Sequence, residues 1–94
     1  MNERVLLLTS CQVRMARAAL KWSVDELARQ SGVNSRTISR IESTNGIPNI
    51  EINTLVRIQS ACESHGVVFL ASDESNNGPG VCYAAYEAPR PRLL

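Results

Sequence analysis

A chain of 94 residues, 44% hydrophobic and 20% charged, is one globular domain with a modest core, and at this size an oligomer interface can supply part of the stability. The formal charge of +1 does not by itself announce a polyanion partner; its distribution says more, with eight Lys or Arg against five Asp or Glu in residues 1–60 and two against four in residues 61–94. Cys11, Cys62 and Cys82 are odd in number and lack metal or CxxC spacing, which argues against a disulfide framework or a zinc site and predicts reduced, cytosolic thiols.

Residues 1–8, MNERVLLL, read as an N-terminal arm or short strand; the apolar run Val5 to Leu8 is too short for a signal peptide or a membrane span. Thr9 with Gln12 has the spacing of a capping box, and Leu8 with Val13 that of a hydrophobic staple, so a first helix is predicted from Ser10. Val13, Ala16 and Leu20 make its inner stripe. Arg14 and Lys21 fall outside it, as solvated charges or phosphate contacts. Arg17 points partly inward, where a bare charge is costly and a partner is required. Trp22 reads as a packing residue.

The stretch Ser23 to Glu42, SVDELARQSGVNSRTISRIE, predicts two short helices and a tight turn. Ser23 and Glu26 form a capping box, Leu27 and Ala28 face inward, and Gly32 ends the helix in a left-handed conformation that carries no Cβ penalty. Val33 fills the corner. Asn34 caps a second helix, with Ile38 and Ile41 on one face and Ser35, Arg36, Ser39 and Arg40 on the others. Short side chains beside two arginines suit an element that enters the DNA major groove, since Arg can donate a bidentate pair to guanine and Ser permits close approach. The expected base readers are Ser35, Arg36 and Arg40, with Asn34 and Ser39 at the edge of reach.

STNGIPN then reads as a loop. Asn49 is expected to cap a fourth helix whose apolar face is Ile52, Leu55, Val56 and Ile58, and Gly66 to end it; Arg57 is solvated and His65 caps or lies on the surface. Val67 to Leu70 and Val81 to Tyr86 are β-prone, joined by the polar ASDESNNGPG, which predicts a hairpin over residues 67–86. Residues 87–94 form a patternless tail, in which Arg90 and Arg92 could touch phosphate.

In order, CQVRMARAALKWS, DELARQSGVNSRTISRIE and GIPNIEINTLVRIQSACESHGVVF resemble the first helix, the helix-turn-helix, and the fourth helix with its following strand in the Cro and lambda-repressor (XRE-like) type of regulator. The resemblance covers roughly residues 9 to 70, and Gly78 to Val81, GPGV, is similar to a bacterial and phage subgroup with a C-terminal hairpin. It implies a mainly α fold, a lambda-repressor-like four- or five-helix bundle with a C-terminal β-hairpin. Residues 9–66 would then be the DNA-binding domain of a transcriptional regulator. It also implies that Arg17 pairs with Glu42, and that Thr37, the residues opening helix 2 and the following loop approach phosphate. Two departures stand out. Relatives often begin helix 2 with Gln, where this chain has Val24, so that contact should be missing, with Asn45 and Asn49 available for loop contacts instead; and Thr44 stands where many have Gly, with Asn45 and Gly46 next.

No nucleophile with a paired His, no glycine-rich phosphate loop and no ligand set supports an enzyme, a metal or a cofactor. The expectation is a cytoplasmic, DNA-binding repressor that meets a palindromic operator in double-stranded DNA as a homodimer, joined through the segment after Gly66. An antitoxin or adaptor that uses the same fold to hold a protein partner is the competing class.

Overall fold

The computed structural model describes residues 8–71 and 78–83. The expectations for residues 1–7 as an arm or strand, for the centre of the hairpin loop, for the end of the second strand at Tyr86 and for the tail with Arg90 and Arg92 fall outside these residues. The elements are α1 (Ser10–Leu20), α2 (Val24–Ser31), α3 (Ser35–Glu42), α4 (Ile52–Glu63), β1 (Val67–Leu70) and β2 (Gly80–Tyr83). This is a mainly helical, lambda-repressor-like arrangement, with four helices among the described residues followed by an antiparallel pair of strands.

Local chemistry sets most of the boundaries. The Thr9 hydroxyl accepts from the Gln12 amide and the Gln12 side chain accepts from the Thr9 amide, closing the expected capping box of α1. The Ser23 hydroxyl accepts from the Glu26 amide to start α2, and Gly32, at φ 75°, ends it. Glu26 does not complete a reciprocal box. Its carboxylate lies against the Arg29 guanidinium and accepts from the Gln30 amide group at 2.8 Å, because i+3 and i+4 donors on the same helix face are within reach.

The start of α4 differs from expectation. Asn49 does not cap it; the N-cap position is Glu51, with no side-chain cap, and the backbone before it turns on a bond from the Ile50 N–H to the Pro48 carbonyl. With the start at Ile52, that side chain is on the first turn beyond the core and is 53% exposed, so it is not part of the inner face, which Leu55, Ile58 and Cys62 make instead. The helix ends at Ser64 rather than Gly66, and His65 Nδ1 donates to the Ala61 carbonyl at 3.0 Å while its ring meets Trp22 edge-on. Leu20 is only partly buried, at the periphery of the stripe formed by Val13 and Ala16.

The core joins all four helices and the hairpin. Leu27, Ile38, Ile41, Leu55 and Ile58 meet in its centre, and burying side chains of this size stabilises by about 1.5–3 kcal/mol each. Cys62 lies in the same core, where desolvation, then the nearby Glu63 charge, push its thiol up to about 12, so it remains a protonated, packing side chain; Cys11 and Cys82 are exposed. The strands pair Val67 with Tyr83 and Phe69 with Val81, which directs Val67 and Phe69 into the core and turns Val68 outward. The hairpin is folded on α1 and α4 of its own chain. Gln12, only 2% exposed, fixes it there: its Nε2 donates to the carbonyls of Leu70 and Gly80, one on each strand, both at 3.0 Å.

Candidate nucleic-acid interface

The geometry of the outward face begins with how α3 is held. Eight residues are too few to form a stable helix alone, so its existence depends on packing and on its ends. Ile38 and Ile41 are buried to within 1% and anchor the inner face. At the N-terminus the Asn34 side-chain oxygen accepts from the Arg36 amide at 2.8 Å. At the C-terminus Glu42 receives Arg17 in a two-bond fork, Nε to Oε2 and Nη2 to Oε1, both at 2.8 Å. The remaining Arg17 nitrogen donates to the Trp22 carbonyl at 3.0 Å, so one side chain ties α1, the α1–α2 turn and α3 together. Its hydrogen bonds to Glu42 raise the guanidinium pKa above its ordinary value, outweighing the opposing effect of burial.

Arg14, one turn earlier on α1, donates to the Glu42 carbonyl. A cation at a helix C-terminus is favoured by the exposed carbonyls and the macrodipole. The loop that follows is held by α1 as well: the Ser10 amide donates to the Gly46 carbonyl at 2.8 Å, and the Ser10 and Thr44 hydroxyls lie 2.9 Å apart. The Thr44 hydroxyl is thus hydrogen-bonded twice, since it also donates to the Ile41 carbonyl. Asn45 is exposed on this pinned loop.

Against this clamped end, the outward face of α3 is open. Arg36, Ser39 and Arg40 are exposed, Ser35 and Thr37 half-buried, and among the described residues no side chain pairs with either guanidinium. Two hollows flank the helix. One, of about 670 Å³, is lined by Val24, Asp25, Asn34, Ser35, Arg36 and Ser39, between the starts of α2 and α3. The other, about 180 Å³, has Arg40, Ile41, Thr44, Pro48, Asn49 and Ile50 around it. Arg36 and Arg40 therefore stand one turn apart, each at the margin of a different hollow. Asn34, Ser35, Arg36 and Ser39 are brought together in the first, Arg40 borders the second, and Arg14 and Asn45 lie towards the C-terminal end of α3.

From the sequence, Val24 and Asp25 come near DNA only through the family resemblance, as residues opening helix 2; that they share a hollow with Ser35, Arg36 and Ser39 is visible only in the structure. Nor did the sequence show that Ser10 and Gln12 brace the loop and the hairpin, since those bonds join residues far apart in the chain.

Among the described residues, no set of His, Cys, Asp or Glu could hold a metal ion, and no helix is long and apolar enough to cross a membrane. The sequence model of the helix-turn-helix family matches residues 13–65, from the second turn of α1 to the end of α4. Comparison with curated proteins gave no match, and neither did comparison with solved structures. The matched stretch holds the clamped α3, its open basic face and the turn that presents it, and the chain belongs to the helix-turn-helix family of Cro/lambda-repressor-like, DNA-binding transcriptional regulators.

Proposed function

We propose that the protein is a repressor that binds a palindromic operator as a homodimer, with α3 as the base-reading element of each protomer. The observation that carries this reading is the open face of α3, where two exposed arginines and short hydroxyls stand on a helix whose other end is fixed. Ser35, Arg36 and Arg40 contact base edges in the major groove, and Asn34 and Ser39 lie at the edge of that reach. Thr37, Asn45 and the nitrogens of Arg14 not used at Glu42 meet phosphate, which positions the protein without reading sequence. One helix of this length reads a few base pairs; two, about 34 Å apart, read successive faces of the groove and multiply specificity.

The hairpin is the proposed dimer element. Its inner face belongs to the core of its own protomer, so the outer face at Val68, 42% exposed, and the strand edges are what a second copy would meet. Removing the hairpin would also remove Val67 and Phe69 from the core, so a surface substitution is the cleaner probe. Val68→Lys is expected to leave the helices folded, to shift sedimentation from dimer to monomer, and to lower affinity for a two-half-site operator while affinity for one half-site stays the same. A variant that still sediments as a dimer places the interface elsewhere, with α4 the next surface to test. Selection of bound duplexes from random sequence tests the reading itself: an enriched, two-fold symmetric site is expected, and the absence of enrichment would overturn it.

A further inference from the structure

The hollow between the starts of α2 and α3 sets an apolar residue beside a cation: Val24 and Asp25 line it from α2, and Asn34, Ser35, Arg36 and Ser39 from the start of α3. Asp25 is exposed and Val24 half-buried, its inner side packed against the core and the rest turned to the hollow. The Asn34 oxygen that borders it is already occupied by the Arg36 amide. What remains is an apolar patch beside short hydroxyls, on the same concavity as Arg36.

We infer that Val24 is a specificity-determining residue that receives the 5-methyl group of a thymine in the operator. The inference rests on the reading of α3 as the base-contacting helix, because Arg36 on a base edge is what brings the neighbouring base pair to this hollow. In the major groove the thymine methyl is the one apolar group that any base presents, and apolar side chains distinguish thymine through it. Val24, fixed at the first residue of α2 behind the Ser23 cap, is held in place by its own packing, so the contact needs no ordering of a long side chain.

The test uses the full chain and the duplex enriched by selection. Each thymine is replaced in turn by deoxyuridine, which removes the methyl group and leaves every hydrogen-bonding atom in place. One thymine per half-site is expected to lose about fourfold in affinity, the size expected for one buried methylene-sized group. With Val24→Ala the same replacement should change affinity little, while Val24→Thr, which keeps one methyl, should retain part of the sensitivity. Because the first comparison is made with the unaltered protein, it does not depend on any variant folding. The inference is overturned if no thymine is sensitive to loss of its methyl, or if the sensitivity is the same in Val24→Ala. Failure to enrich any duplex is a different result: it removes the base-reading role of α3 at the earlier step, and this inference with it.

Discussion

The two ends of α3 are built in opposite ways. At the C-terminus Glu42 is gripped by Arg17, its carbonyl is met by Arg14, and the next loop is pinned to Ser10, so the helix is tied to α1 by three residues. Over the N-terminal half the Asn34 cap is local, the Arg36 guanidinium has no ion-pair partner among the described residues, and Ser35, Arg36 and Ser39 line a hollow. A short helix can be presented to a partner only if its position is fixed by groups that the partner does not need. Here those groups lie at the far end and on the buried face, and the polar groups that would otherwise have been used for stability remain available.

The comparison can be broken from its clamped side first. Arg17→Ala and Glu42→Ala are each expected to lower stability by about 3 kcal/mol, since each leaves a partly buried charge without its partner, and the double variant should lose less than the sum. Chemical denaturation of the four-member cycle checks this, and strict additivity would show that the fork carries no coupling. Gln12→Leu should come next, at about 2 kcal/mol, because the Leu70 and Gly80 carbonyls lose their donor. Hydrogen exchange should then rise in residues 67–70 and 80–83 and change little in α2 and α3; a uniform rise would mean that the hairpin and the helices open as one unit. Asn34→Ala is expected to be the mildest, about 1 kcal/mol from a lost cap. Its sharper effect should be faster exchange at the Arg36 amide.

The fold was legible where residues close in sequence set it. Thr9 with Gln12, Ser23, Gly32 and Asn34 are caps and stops whose partners lie within a few residues, and each is found at its predicted place. The Arg17 to Glu42 pair was accessible only through the family resemblance, because nothing local in Arg17 names a partner 25 residues away. The start of α4 was misread at Asn49 because a capping residue type was present while the Ile50 to Pro48 turn delays the helix. Ile52 then followed as an apparent core residue, since periodicity alone does not show where the first turn begins. Gln12 reads fully as a capping residue, which hides its second role: the same amide reaches across 58 and 68 residues to the hairpin.

The central claim is that the open face of α3 reads base sequence, and base-resolved selection with the parent chain and with Arg36→Ala and Arg40→Ala tests it most directly. Each variant should keep its melting temperature, because neither guanidinium is paired within the described residues, and should lose about 1–3 kcal/mol of discrimination at the one position its arginine contacts, with the other positions of the site unchanged. If both variants enrich the same sequence as the parent with the same preference at every position, α3 is not the reader.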